Sequence, residues 1–200
     1  SRENVENYSK YYLGSVVLCV KDGKRSIIDG QQRFTSLTLL LIYLNNLQKQ
    51  MNEQVAINDL IFSEKYSKKS FNLQVDDREE CIGSLYDKGD YDATDKSDSV
   101  KNIVERYKDI DEIFPEDLKT GVLPYFLDWL VDNVIFVEIM TYSDDDAYTI
   151  FETMNDRGLN LTSAEMLKGF LLSNLDSQED KHELNELWKQ KVQKLNEIED

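Results

Sequence analysis

The chain has 200 residues, of which 40% are hydrophobic and 10% aromatic, and its formal net charge at pH 7 is −16. This composition excludes a chain that is disordered throughout, because it provides enough apolar surface for a core. The negative charge disfavours strong DNA binding through the overall electrostatic field, since such binding needs a surplus of Lys and Arg. A local basic pocket is still compatible with this net charge.

Several classes of protein are disfavoured by the residues that the sequence lacks. No run approaches the roughly 18 to 20 apolar residues of a membrane helix, and Ser1-Arg2-Glu3 is not a secretory signal. Cys19, Cys81 and the single His182 form neither a disulfide framework nor a zinc motif. We therefore expect a cytoplasmic protein with no membrane partner. Because an initiator Met is missing, we also expect a piece of a longer chain.

The first quarter of the sequence predicts a helix, a hairpin and a second helix. Residues 3–13 have apolar side chains near helical spacing, and residues 15–20 and 25–28 predict two strands joined at Asp22-Gly23, a pair that tolerates a tight turn. Residues 30–50 predict a long helix with Asp29 at its N-cap. Its apolar face is expected in the core and contains Phe34, Leu37, Leu40, Leu41, Leu44 and Leu47.

The remainder is expected to be mainly helical around one buried strand. The acidic stretch 76–100 predicts an exposed loop and a short helix. The almost wholly apolar run 134–140 predicts a central strand. Helices are predicted for residues 99–113, 116–132 (with Pro115 at the start), 144–154 and the polar tail 177–200. The expected fold class is α+β, mostly helical with a small mixed β-sheet.

One short run combines several features of an anion site. Asp29-Gly30-Gln31-Gln32-Arg33 joins the predicted strand to the long helix. A helix N-terminus offers unpaired amides and the positive end of a dipole, Gln31 and Gln32 add donors, and Arg33 adds a forked cation suited to phosphate. Gly30 allows close approach to the backbone. From physics alone, a capped helix with a polar, exposed first turn explains these residues equally well.

Two blocks of the sequence resemble the N-terminal domains of GmrSD-type restriction endonucleases. In the first block, Asp29 to Arg33 match the family signature in full, and Phe34-Thr35-Ser36 replaces the more common Leu-Thr-Thr. The second block covers residues 150–168, where Glu165 replaces the family's preferred Asp. The resemblance extends over about residues 1–175, which leaves 176–200 as a polar helical extension.

This resemblance implies a ParB-like (sulfiredoxin-like) core and a nucleoside triphosphate hydrolysed in the control of DNA restriction. It implies catalytic roles for Asp29, Gln31, Gln32 and Arg33, with a divalent metal, expected to be magnesium, on Asp29. Metal dependence is expected because a carboxylate near the helix N-terminus otherwise repels phosphate. The residues expected to contact the nucleotide are Gly30, Thr35, Asn155, Arg157 and Lys168.

The residues themselves leave some of these roles open. The residue type of Asn155 favours a role in a turn, and Lys168 can pair with Glu165 at the i, i+3 spacing. Because one arginine cannot balance a triphosphate, we predict that Arg33 and Arg157 share one pocket.

Three functions remain open at this point. The first is a nucleotide-binding, hydrolysing regulatory domain of a restriction protein. The second is a sensor of nucleotide or modified DNA without hydrolysis, because Asp29 is the only evident general base. The third, a nuclease site in this domain, is disfavoured by the acidic charge. Family members often carry a downstream HNH nuclease domain, so DNA is expected to be reached only through missing domains or partner chains; homo-oligomerisation is left open.

Overall fold

The computed structural model describes residues 5, 7–21, 23–65, 68–72 and 78–155, and beyond these 167, 168, 171, 175, 177, 180, 183–188, 190 and 191. The α-helices are α1 (Gln31–Gln48), α2 (Asn58–Ile61), α3 (Glu79–Lys88), α4 (Asp98–Ile113), α5 (Leu123–Asn133) and α6 (Asp144–Asn155). The strands are β1 (Tyr11–Lys21), β2 (Lys24–Asp29), β3 (Phe62–Lys65), β4 (Lys68–Phe71) and β5 (Val134–Thr141). The mostly helical α+β class with a small mixed sheet is confirmed, and the ParB-like core stays a prediction.

The predicted hairpin is confirmed, but its first strand is longer than expected. β1 and β2 pair antiparallel from Lys21 opposite Lys24 to Val17 opposite Asp29, with an irregularity between Val17 and Leu18. β1 already begins at Tyr11, so the helix predicted over residues 3–13 is wrong at its C-terminal end. Of its earlier residues, Val5 and Asn7 have 3-10 conformation, and Glu3, Asn4 and Glu6 lie outside the described residues. The apparent helical spacing was misleading because the aromatic and β-branched residues of this segment favour a strand.

The chain forms two compact units that alternate along the sequence. One unit contains residues 1–14 and 31–136, and the other contains residues 15–30 and 137–200. The first unit holds α1 to α5 and the β3–β4 hairpin. The second unit holds most of the β1–β2 hairpin, most of β5 and α6.

The core of the first unit is built around α1. Leu41 and Leu44 are buried as predicted, whereas Leu37, Leu40 and Leu47 are partly buried against the core. Phe34 lies outside this core cluster and packs edge-to-face on Phe136, with ring centroids 5.6 Å apart. Burial extends around α1 beyond the predicted face, to Leu39, Ile42, Tyr43, Asn45 and Gln48.

The acidic region that was predicted to be exposed supplies part of this core. α3 buries one side, namely Cys81, Ile82, Leu85 and Tyr86. α4 buries Val100, Ile103, Val104, Tyr107 and Ile110 in the same cluster. The short helix and the loop predicted over 76–100 are confirmed for the described residues 78–100. The expected exposure of the helix is corrected, because its acidic residues occupy only the solvent side of an amphipathic helix.

α5 begins later than predicted. After Pro115 the chain makes a short 3-10 turn at Glu116–Lys119, and α5 starts only at Leu123, with Pro124 in its first turn. The interruption at Gly121 explains why one helix over 116–132 was wrong. Near the end of α5, the Asn133 side-chain amide donates to the carbonyl of Val5 at 3.0 Å, which anchors the start of the chain.

β5 is an edge strand in the sheet that the structure describes. The strand order is β2-β1-β5, so β1 is the central strand and the prediction that residues 134–140 are central is wrong. Ile135, Phe136, Val137 and Met140 are exposed to solvent. An apolar composition indicates that a strand is covered on both faces, but β5 departs from this pattern. No helix among the described residues is long and apolar enough to cross a bilayer.

Candidate functional site

The first turn of α1 carries three exposed polar side chains of the sequence motif. Gln31, Gln32 and Arg33 are all exposed at the N-terminus of an 18-residue helix. Because β2 ends at Asp29 and α1 begins at Gln31, the N-cap position belongs to Gly30. Asp29 thus lies one residue before the predicted N-cap position.

Gly30 is buried and is required for packing. Its φ is +99°, a conformation that favours glycine, and a Cβ at this position would lie 2.7 Å from Cγ1 of Val16. Val16 thus occupies the space that a side chain would need. The structure gives a steric reason for this glycine, the neighbouring strand β1, and the predicted nucleotide contact at Gly30 stays a prediction.

Arg33 is held against a second glycine. A Cβ on Gly14 would lie 3.4 Å from Nε and 3.6 Å from Cζ of Arg33, and the φ of Gly14 is +112°. The guanidinium group therefore packs closely over bare backbone. This contact restricts the orientations that the long Arg33 side chain can adopt.

Two further residues of the first block are half-buried. The Thr35 hydroxyl donates to the carbonyl of Gln31 at 2.8 Å, so its proton is committed to α1. Asp29 is the last residue of β2 and stands opposite Val17 in the hairpin. Of these two, only Thr35 belongs to the unit that contains Arg33.

A broad apolar groove adjoins Arg33 within the first unit. It encloses about 680 Å³, within the usual range of small-molecule sites. Its apolar lining comprises Leu13, Leu37, Leu40, Ile110, Ile113, Phe114, Pro115, Leu118 and Phe126. The polar lining is Gln32, Arg33, Ser36 and Arg106. The described lining thus contains two arginines and no carboxylate, in a chain whose net charge is −16.

A polar pocket lies on the other side of Gln32, Ser36 and Arg106, which line both cavities. It encloses about 460 Å³, and its charged residues are Arg78, Glu105, Arg106 and Asp109. The Arg78 Nε group donates to the hydroxyl of Ser99 at one wall. Two cations and two anions balance formally, so this pocket has no preference for an anion, in contrast to the apolar groove.

Arg106 is a cation of the groove that the sequence did not reveal. Its Nη1 lies 3.4 Å from Oδ2 of Asp109, and the two side chains are 61% and 46% exposed. An exposed i, i+3 pair contributes only a few tenths of a kcal/mol, so the guanidinium group can exchange this partner at little cost. Arg106 belongs to no motif, and only the packing of α4 against α1 brings it into the lining that also contains Arg33.

The second block is only partly described. Asn155 is the last residue of α6, and Lys168 is a half-buried helical residue. Arg157 lies outside the described residues, so the pocket predicted for Arg33 and Arg157 stays a prediction. At the start of α6, the backbone N–H of Asp146 donates to Ser143 Oγ at 3.1 Å, and this hydroxyl donates back to Asp146 Oδ2 at 2.7 Å.

The sequence profile of one family covers most of the chain. The GmrSD restriction endonuclease, N-terminal domain, matches residues 2–172. The chain belongs to this family. No curated protein sequence matches it significantly. Membership makes this GmrSD N-terminal domain part of a restriction, or phage-defence, protein.

The carboxylates of this GmrSD domain bear on how a metal could bind. No group of three or more His, Cys, Asp or Glu side chains is placed to hold a metal within the part of the chain that the structure describes. A magnesium ion that arrives with a nucleotide needs only one or two protein carboxylates besides the phosphates. The half-buried Asp29 could provide one such carboxylate.

Proposed function

We propose that this domain binds a nucleoside triphosphate at the first turn of α1 and hydrolyses it with magnesium to regulate DNA restriction. The observation that carries the proposal is the exposure of Gln31, Gln32 and Arg33 at the N-terminus of a long helix. Backbone amides, side-chain amides and a guanidinium group are the donors that phosphate oxygens select. Membership of the GmrSD family gives this activity its setting.

The roles within the motif follow from their chemistry. Arg33 neutralises charge on the phosphoryl group, and the two glutamine amides donate to phosphate oxygens or orient the attacking water. Asp29 is assigned as a magnesium ligand on the basis of the sequence motif. Asn155, Arg157 and Lys168 are proposed as further nucleotide contacts on the same basis. DNA is reached through other domains or partner chains.

Binding and hydrolysis are tested in separate assays. Adenosine and guanosine triphosphates with a fluorescent group on the ribose are titrated by anisotropy, and released phosphate is measured with magnesium and with EDTA. Arg33→Ala is expected to weaken binding about tenfold or more, the usual range for a hydrogen bond to a charged group. Arg33→Lys should recover part of this loss, because lysine keeps the positive charge but cannot donate two parallel hydrogen bonds as a guanidinium group does.

Arg25→Ala is the matched control, since Arg25 is an exposed arginine whose ion pair with Glu138 is long, at 3.9 Å. Equal effects of Arg25→Ala and Arg33→Ala would show a general charge effect and contradict the proposal. Binding without phosphate release would favour the non-hydrolytic sensor.

A further inference from the structure

We infer that the nucleoside part of the ligand occupies the apolar groove and that Arg106 is a second phosphate-binding cation. This inference rests on the proposed function and adds to it the location of the base and a residue outside every motif. The relevant geometry lies entirely within the first compact unit, where Arg33 and Arg106 line the same cavity.

The shape and chemistry of the groove match the two ends of a nucleotide. Leu37, Leu40 and Ile110 provide an apolar floor, and Phe114 and Phe126 provide ring surfaces. The rings of Phe114 and Phe126 meet edge-to-face with centroids 5.7 Å apart. A purine or pyrimidine is a flat, weakly polar ring that gains affinity from such surfaces.

The charge distribution decides where the phosphates lie. The groove carries two arginines without a carboxylate among its described lining residues, whereas the lining of the polar pocket contains Glu105 and Asp109 as well as two arginines. An anion is therefore attracted to the groove side of Gln32 and Ser36. Arg106 lines both cavities, and its exposed ion pair with Asp109 is weak enough for a phosphate to replace the carboxylate.

The inference also supplies the charge that the motif lacks. A triphosphate carries several negative charges, and Arg33 alone cannot balance them. Arg106 supplies a second guanidinium group in the same lining. Two forked donors can bind separate phosphate oxygens, which orients the chain of phosphates as well as attracting it.

The experiment uses two variants and two ligands. Arg106→Ala is expected to weaken both the fluorescent nucleoside triphosphate and competing inorganic tripolyphosphate about tenfold, because the lost partner binds phosphate. Ile113→Ser is expected to weaken the nucleotide about fivefold, since a base that covers about 40 Å² of this side chain loses that apolar contact. Tripolyphosphate, which has no base, should bind Ile113→Ser normally. Ile113 is 77% exposed, so this variant should fold.

Matched controls are available in the same unit. Lys101→Ala removes a positive charge from an exposed position of α4 that lies outside the described groove lining. Val122→Ser makes the same kind of change at an apolar residue that is 47% exposed and also outside that lining. Both controls should leave the two affinities unchanged. Circular dichroism and thermal unfolding of every variant establish that each one is folded.

The failures of the two proposals can be told apart. No nucleotide binding by the unaltered protein would overturn both. Binding that depends on Arg33 but is unaffected by Arg106→Ala and Ile113→Ser would overturn the groove assignment alone. A change in oligomeric state on Ile113→Ser, with unchanged affinity, would assign the groove to contacts between copies. Displacement of the nucleotide by a short single-stranded oligonucleotide at lower concentrations than by free triphosphate would overturn the choice of a free nucleotide.

Discussion

The guanidinium group of Arg33 lies over the backbone of Gly14, so close that a methyl group on Gly14 would be 3.4 Å from Nε. Gly14 also has a φ of +112° within β1, which residues with a side chain rarely adopt. Glycine is therefore favoured here by the backbone conformation, and the same backbone forms the surface on which the arginine lies. This contact predicts that Gly14 is a positioning residue for the proposed phosphate site.

Replacing Gly14 tests this positioning role. Gly14→Ala is expected to lower the free energy of unfolding by about 1 to 3 kcal/mol through backbone strain. It should also weaken nucleotide binding severalfold, since the backbone that carries the contact with Arg33 must leave its φ of +112° to relieve the strain. Urea denaturation and anisotropy titration measure the two effects. Gly121→Ala is the control, because nothing lies within 4 Å of its Cβ position; equal effects of both variants would contradict the positioning role.

Gly30 makes a stronger steric prediction. Gly30→Ala places a Cβ 2.7 Å from Cγ1 of Val16 and also strains a φ of +99°. We expect a loss of more than about 2 kcal/mol in the free energy of unfolding. Val16→Ala removes the clashing Cγ1 atom, so the double variant should be less destabilised than the sum of the two single variants. Simple additivity, measured by urea denaturation, would show that the contact between Gly30 and Val16 does not cause the loss.

The elements that the sequence predicted correctly have strong local signals. The β1–β2 hairpin follows from its Asp-Gly turn, and α1 follows from a long apolar run after Gly30. β5 was placed wrongly because its apolar residues resemble those of a buried strand, while its position at a sheet edge depends on pairing with β1. The buried side of α3 was overlooked because acidic residues dominate the composition around it.

In the candidate site, too, the sequence reveals residues with a local signal but not those placed by tertiary packing. Arg33 stands out in sequence because it belongs to a motif at a strand-to-helix junction. Arg106 does not stand out, since its relevance comes only from the packing of α4 next to α1. Gly30 was identified, but its partner Val16 lies 14 residues earlier, and no sequence spacing reveals that contact. Contacts of this kind are set by tertiary packing.

Buried and exposed residues of α1 are expected to have different roles, the first in stability and the second in nucleotide binding. Leu44 is fully buried in the core, so Leu44→Ala is expected to cost about 2 to 5 kcal/mol of unfolding free energy. Arg33→Ala should leave the melting temperature nearly unchanged, because Arg33 is exposed. Thermal unfolding of both variants checks this. Unfolding of the domain by Arg33→Ala would make Arg33 a structural residue and remove it from the proposed site.

Cys81 predicts a loss of stability in alkali. Burial, and then the charge of Glu80, raise the pKa of its thiol from 9.0 to about 11. The unfolded chain therefore ionises first, so this stabilising contribution is complete below pH 9 and is lost as the pH rises through 11. The loss is on the order of 2 kcal/mol. Urea denaturation at several pH values should show a shallower decline for Cys81→Ala than for the unaltered protein; parallel declines would contradict the assignment.

Asp29 is predicted to weaken nucleotide binding without magnesium and to strengthen it with magnesium. A carboxylate two residues before the first glutamine of α1 repels phosphate, and at about 4 Å in water this repulsion amounts to roughly 1 kcal/mol. Asp29→Asn removes the repulsion, so in EDTA the variant should bind the nucleotide up to about fivefold more tightly than the unaltered protein. With magnesium the order should reverse, because the asparagine is a poorer ligand for a hard cation than a carboxylate. Phosphate release should then fall by a larger factor than affinity, since the metal neutralises charge that develops during transfer.

Asp59→Asn, a change at an exposed aspartate of α2, is the control and should alter neither measurement. A uniform loss of affinity in Asp29→Asn, equal in EDTA and in magnesium, would mean that Asp29 supports the hairpin through β2 and does not bind the metal.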